Sequence, residues 1–527
     1  MQSAEDQIIQ SNTSKTRNSI GGISYSKTNS YDTFDDKDAK TYGWIKAEYK
    51  ELIKSGDSLV AFNREGKKKF YVKIKQTKSY GTSGQGMDPR KCFTEDTTFV
   101  YLQPTREIDL EDGYSGKPRP NSLSGYELDF PDKIERAEIS NVPRNGLPLG
   151  SFESSNALSP FFYPLTPSDT IFQSMLIDGP QGKGKSNFVK LMISTINSKT
   201  NFAQIVIDRE GEYTNFAKFE EMSEEGKKFF TKFGIKPVEP EVLVISGNNT
   251  FESTATMSMD AIGHTNVLKI SSDLPKASAE ALDYLFDIAY RRLEDKNEEI
   301  TWENLRIALN YTLETSQHYT GNAGREIKNT IQRALAAPYL SLFDQRGKTL
   351  LIPENLFKEN IVIVIDSSTL SPADQRRLVL YLLLLLRKYK FQGHHDEPGV
   401  LLYFDESEYL LPSRPSPSEK DQVNRIEEMI QEPVQRGRKH NYGIVTITHS
   451  IGALSKTLVD LCNTKVVFGR SVSTNVSWYR ANIGKERTME LGFLEQGQCI
   501  LDTRQTAVSI NVKLDIPFIG KDEDYFG

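Results

Sequence analysis

Cysteine, histidine and tryptophan are scarce: the chain has 3 Cys, 6 His and 3 Trp among 527 residues. Cys92, Cys462 and Cys499 are widely spaced and odd in number, so they offer neither a disulfide framework nor metal-ligand spacing. That suits a reducing interior, and a cytoplasmic location is expected. Long apolar runs are missing too. The longest, Leu378 to Leu386, is bounded by Arg376-Arg377 and Arg387-Lys388. It falls well short of the ~20 residues of a bilayer span and reads as a buried helix. The N-terminus is polar, with no signal-type apolar stretch, and no membrane anchor is expected. There is no excess of positive charge: 65 Lys and Arg against 71 Asp and Glu give a net charge of −6. Nucleic-acid binding therefore requires a local basic surface rather than a basic average.

What is present is enough chain for two to four domains. Residues 1–39, rich in Ser, Thr, Asn, Asp and Lys, read as a flexible polar tail. Over 40–142, short β-like runs such as Ser58 to Phe62, Lys69 to Ile74 and Thr98 to Leu102 alternate with turn signals, as in a small barrel or sandwich. Residues 143–170, with Pro143, Pro148 and an Asn/Ser/Pro-rich stretch, read as a linker. Beyond it, short Val/Ile-rich runs alternate with helical segments, the pattern of a parallel sheet buried on both faces. The expected α/β core comprises 171–218 and 361–527. Residues 219–360 read as a strand plus a helical insertion, with Ala281, Leu282, Leu285, Ile288 and Ala289 on one stripe.

The most informative stretch is Gly179-Pro-Gln-Gly-Lys-Gly-Lys-Ser186, between an apolar run (Ile171, Phe172, Met175, Leu176, Ile177) and a helical stretch, Asn187 to Ile196. Strand, G-x-x-x-x-G-K-[ST] loop and helix make a phosphate cradle. Its glycines let backbone N–H groups face phosphate oxygens, and the helix N-terminus adds partial positive charge. Gly179, Gln181, Gly182, Lys183, Gly184, Lys185, Ser186 and Asn187 are the expected ATP-binding residues. Lys185 would reach the terminal phosphates, and Ser186 would hold Mg²⁺. The competing account is a Gly/Lys-rich surface turn.

Val400 to Phe404 is an apolar strand ending in Asp405-Glu406. Beside a phosphate loop, Asp405 would hold Mg²⁺ and Glu406 would orient or deprotonate the attacking water. Acids are also common at solvated strand ends. Asp208-Arg-Glu-Gly-Glu212-Tyr213 follows another buried strand, so Asp208 or Glu212 would reach the γ-phosphate or its water, unless the segment is only an acidic turn. Arg436-Gly-Arg438-Lys439 precedes a strand ending Thr446-Ile-Thr448-His449. Its arginines suit a finger reaching a neighbour's nucleotide, or equally a basic helix C-terminus favoured by the helix dipole. His449 suits a γ-phosphate sensor or a satisfied core histidine.

In this order, the motifs resemble the HerA/FtsK superfamily of ring-forming DNA translocases, and within it the HerA-like ATPases. The resemblance rests on the 179–186 loop, Ile207 to Tyr213, Val364-Ile-Asp-Ser-Ser368, Phe404-Asp-Glu406, Gly437 through His449 to Lys465, and Leu491 to Gln498. It spans roughly 145–515 and implies a RecA-like P-loop core behind an N-terminal β-barrel. It further implies a homohexamer that hydrolyses ATP with Mg²⁺ at subunit interfaces and moves double-stranded DNA. Lys185, Ser186, Asp405, Glu406 and Glu212 match the family's site positions, and Arg438 its trans-acting arginine, with Arg436 nearby. The chain departs from the family pattern at four places. Pro-Gln-Gly-Lys stands in the loop where Thr-Gly-Ser is usual, Arg209-Glu210 stands for Pro-His, Ser407-Glu408 for Ala-His, and His449 for Gln. The last points to altered water positioning and slower or pH-sensitive hydrolysis.

The expected function is an ATP-driven DNA translocase or helicase serving a separate nuclease or effector, since no nuclease constellation is visible in the chain. The alternative from a different class is a nucleotide-regulated oligomeric scaffold that switches an effector, for example in antiviral defence, without processive movement.

Overall fold

The computed structural model describes Ser19 to Lys513 apart from 27–40, 80–97, 140–146, 153–160, 166–173, 247–251, 271–275, 392–397, 503–509 and gaps of four residues or fewer. Two compact units result, residues 1–144 with 152–161, and residues 145–151 with 162–527.

The first unit is an antiparallel barrel. Its strands are β1 (Gly21–Ser26), β2 (Thr41–Ile45), β3 (Ser58–Phe62), β4 (Lys68–Ser79), β5 (Thr98–Asp109), β6 (Tyr114–Gly116) and β7 (Glu127–Asp129). They run in the order β2-β1-β7-β3-β4-β5-β6, and a further β2–β5 pairing closes six of them into a ring. Period-two alternation sends Phe70, Val72 and Ile74, Leu59 and Ala61, and Val100 and Leu102 into one buried cluster with Leu128. Two register shifts in the β4–β5 ladder bend these twelve-residue strands enough to close. Gly21–Ser26 corrects one expectation: this segment of the supposed tail is a barrel strand. Its Gly-Gly start is a packing requirement, since a Cβ on Gly21 would lie 2.0 Å from the Trp44 carbonyl oxygen. Residues 1–18 lie outside the described residues.

The second unit is built on an eleven-stranded sheet. Its strands are β8 (Leu147–Phe152), β9 (Phe161–Leu165), β10 (Met175–Asp178), β11 (Ala203–Asp208), β12 (Glu241–Val244), β15 (Val362–Asp366), β16 (Val400–Phe404), β17 (Tyr442–Thr448), β18 (Thr464–Phe468), β19 (Gln498–Asp502) and β20 (Ile510–Lys513). The order is β12-β15-β11-β16-β17-β10-β18-β19-β20-β8-β9. From β12 to β18 every pairing is parallel, and β19 and β20 then add antiparallel. Strands β8 and β9 fall inside the expected 143–170 linker, which is a second correction. The prolines read as linker punctuation, yet Pro148 sits within β8, and Leu147 and Leu149 are fully buried.

The central strands are buried at every position, as a parallel sheet covered on both faces demands. The leucine run of 378–386 lies in the Pro372–Phe391 helix, which packs on the Lys420–His440 helix. Between β13 (Ala255–Met257) and β14 (Thr349–Leu351), a two-stranded parallel pair, come the helices Lys276–Asp295, Trp302–Thr315 and Gly321–Leu335. Leu282, Leu285, Phe286 and Ala289 of the first and Leu305, Ala308 and Leu309 of the second are buried in the shared core. The stripe therefore forms much as its period predicts, except that Ala281 and Ile288 are only partly buried.

Candidate active site

Parallel pairing puts the C-terminal ends of four neighbouring strands on one edge. Asp178 pairs in register with Thr448, Phe404 with Thr446, and Ile207 with Phe404. The loops after β10, β17, β16 and β11 therefore emerge side by side, at the edge where open α/β sheets place their ligands.

After β10 the chain turns through Gly179 to Gly184 into the Lys185–Lys199 helix. Two glycines meet geometric demands here. Gly184 has φ +102°, in the left-handed region, and a Cβ on Gly179 would lie 2.6 Å from that of Phe468. The Gly497 N–H donates to the Lys183 carbonyl at 3.0 Å, so the 491–498 segment braces the loop from outside. Ile171 and Phe172, counted with the incoming strand in the sequence, lie outside the described residues.

Lys185 is nearly buried, and its Nζ lies 2.6 Å from His449 Nδ1 and donates to the Pro180 carbonyl at 3.3 Å. On the other side of the ring, His449 Nε2 contacts Glu406 Oε1. With Lys185 charged, the ring is the neutral Nε2–H tautomer, accepting from the lysine and donating to the carboxylate. The hydrogen bond to Glu406 raises the ring's pKa, while burial and the Lys185 charge oppose the rise. Burial lowers the Lys185 pKa, against the pull of Glu406, Glu212, Asp405 and Asp178. The His449 N–H donates to Glu408 at 3.0 Å, which fixes the backbone as well.

Ser186 donates its hydroxyl proton to Glu212 Oε2. This separates the two acids that the sequence left as alternatives. Asp208 is fully buried, and its carboxylate accepts the N–H groups of Glu210, Gly211, Glu212 and Tyr213 at 2.8–3.2 Å. It holds the loop in shape, and Glu212 is the acid that points at Ser186. Burial pushes the Asp208 carboxyl up to about 6 despite these bonds.

Asp405 and Glu406 are 5% and 6% exposed. Burial, followed by Asp208, Glu212 and Glu406, pushes the Asp405 carboxyl well above its usual range. Glu406 has φ +47°, left-handed and unusual for a glutamate, a strained turn that redirects the chain from the strand into the short Ser407–Leu410 helix. Arg436 and Arg438 lie on the Lys420–His440 helix, and their side chains are outside the described residues.

One group escaped the sequence reading. Arg470, just past β18, donates to Asp178 at 2.8 and 3.0 Å and to the His449 carbonyl at 2.9 Å. The Tyr479 hydroxyl also donates to Asp178, at 2.6 Å. A lone arginine after an apolar strand carries no motif, and only tertiary proximity marks it.

Residues 157–386 match the family described as Helicase HerA, central domain. No curated protein matches the chain. Among solved structures, the chain is similar to VirB4 of Thermoanaerobacter pseudethanolicus, with 13% identity, 71% of this chain and 97% of that one covered, and a TM-score of 0.45. The bacterial conjugative coupling protein TrwBdeltaN70 has 12% identity, 68% and 88% coverage and a TM-score of 0.46. The genome packaging NTPase B204 from Sulfolobus turreted icosahedral virus 2, in complex with AMP, has 11% identity, 66% and 99% coverage and a TM-score of 0.30. The likeness to the HerA central domain thus covers the phosphate loop, the Glu212 turn and the helical insertion, within residues 157–386 of this chain.

Proposed function

We propose that the protein is an ATP-hydrolysing, RecA-like motor that works as a homohexamer on double-stranded DNA together with a separate nuclease or effector. One observation carries the ATPase part of this reading. Ser186–Glu212 and Lys185–His449–Glu406 form one cluster at the strand ends, with Asp405 beside Glu406. Loop lysine, hydroxyl, acid pair and polar sensor are the parts of a nucleoside-triphosphate hydrolase.

In this mechanism the backbone N–H groups of residues 182–187 and the Lys185 ammonium hold the phosphates. The Ser186 hydroxyl and the Asp405 carboxylate would hold Mg²⁺. The donors fit: both are hard oxygens, and Asp405 lies in a buried cluster of acids whose mutual repulsion a divalent cation offsets. Bound there, the ion neutralises charge on the phosphate oxygens. Glu406 takes the proton of the attacking water, and His449 orients Glu406 while facing Lys185. Glu212 orients the Ser186 hydroxyl. Arg438 of a neighbouring subunit is assigned to the charge that develops in the transition state.

The test is ATP hydrolysis with and without duplex DNA, for the unaltered chain and for Lys185→Ala. Stimulation by DNA and loss in the variant are expected. Full turnover by Lys185→Ala would end the site assignment. The net charge of −6 favours a second reading, a nucleotide-switched scaffold for an effector. DNA-indifferent turnover in a stable effector complex would select it.

A further inference from the structure

We infer that Arg470 is a positioning residue that holds His449 in place relative to the phosphate loop. The inference rests on the ATPase reading above and deepens it.

The ladder between β10 and β17 ends at Asp178 opposite Thr448. Beyond that pair the strands leave the sheet, and the remaining backbone link is a long one, Gly179 N–H to Thr448 O at 3.3 Å. His449 is the first residue past this point, so the sheet no longer sets its position. Glu408 holds its N–H, the Ile451 N–H two residues on donates to Asp178, and Arg470 adds the tie at the His449 carbonyl. The Arg470 backbone N–H is anchored on the Leu491 carbonyl at 2.9 Å. Its Nη1 reaches both oxygens of Asp178, the residue immediately before the phosphate loop, at 3.0 and 2.8 Å. Its Nη2 reaches the His449 carbonyl at 2.9 Å. One planar guanidinium thus joins the exits of β17, β10 and β18. An ammonium, a single compact point charge, does not present that fixed two-armed fork.

The energetics point the same way. Asp178 is fully buried and the Arg470 side chain is 13% exposed. A buried ion pair is seldom better for stability than apolar groups of the same size, because desolvation offsets the attraction. A mainly stabilising role therefore accounts poorly for the pair. Positioning accounts for it, because the His449 ring must sit between Lys185 and Glu406. Misplacement of a reacting constellation by about 1 Å costs roughly 100-fold in rate.

The decisive variant combines Asp178→Asn with Arg470→Met, which removes both charges and leaves no orphaned ion. It is expected to melt close to the unaltered protein and to keep its KM for ATP within about 3-fold, while kcat falls by roughly 30- to 100-fold. Arg470→Lys should not restore the rate. Tyr479→Phe leaves the Arg470–His449 contact in place and should change kcat by less than about 3-fold. A second readout is independent of turnover: in histidine-labelled protein, the His449 ring resonance should shift in the double variant and stay put in Tyr479→Phe. A folded double variant with unaltered kcat and an unmoved His449 resonance overturns the inference. If Lys185→Ala abolishes turnover in the same assay, the ATPase reading survives that failure.

Discussion

The two units use β-structure in opposite ways. In the barrel, strands close on themselves, side chains alternate in and out, and buried charges are neutralised locally, as Lys68–Asp109 at 2.6 Å and Lys69–Glu135 at 3.2 Å show. In the core, strands are buried on both faces and the acids of the candidate site gather at one edge. There, burial first and neighbouring carboxylates second push the pKa values of Asp405 and Asp208 up. A closed antiparallel sheet disposes of its polar groups, whereas an open parallel one collects them.

The largest effect that would test this contrast is at the edge. Glu406→Gln is expected to lower ATP turnover by roughly 100- to 1,000-fold, with ATP binding retained and the melting temperature little changed. Equilibrium binding beside steady-state hydrolysis checks it, and equal loss of both would mean that Glu406 has no chemical role.

In the barrel the expected damage is to stability. Leu128 is fully buried in its core, so Leu128→Ala should cost about 2–5 kcal/mol. Denaturant unfolding followed by a probe in residues 19–130 would show it, and a cost below ~1 kcal/mol would contradict the closed core.

Asp344 sharpens the comparison inside the second unit, away from the strand-end edge. Burial, partly offset by the Met259 N–H at 3.2 Å, raises its carboxyl to about 7. Folded protein therefore holds this proton over a pH range in which the unfolded chain, near 3.8, has released it. The contribution of Asp344 to stability falls as pH rises from about 4 to about 7. Asp344→Asn, which tolerates the local φ of +44°, should remove that slope and gain about 1–2 kcal/mol at pH 8. Melting curves from pH 4 to 8 decide it, and a variant less stable at pH 8 would refute it.

The smallest effect belongs to the exposed pair Lys67–Glu111, at 2.8 Å with side chains 52% and 55% exposed. Lys67→Ala should change stability by less than about 0.5 kcal/mol.

Legibility in the sequence followed the same division. The phosphate loop and the Asp405-Glu406 strand end could be read because each chemistry demands particular residues at close spacing. The barrel was legible from period two, except β1, whose Gly21-Gly22 start reads as loop until Trp44 is seen against it. Strands β8 and β9 were hidden by prolines that usually mark linkers. The choice between Asp208 and Glu212 was open in the sequence because both follow the same strand. Only the turn that wraps Asp208 in backbone N–H groups separates them. Arg470 is separated from Asp178 by 292 positions, and no local pattern joins the two.

By itself, then, the order of residues determined most element types, the loop that can cradle phosphate and the acids available to it, because these depend on local periodicity and backbone freedom. Which of those acids meets Ser186 was decided by the turn after β11 that wraps Asp208, and how His449 comes to lie between Lys185 and Glu406 by the parallel register of β10, β16 and β17. Register is a property of strands far apart in the chain, settled when their buried faces pack, and no short segment encodes it.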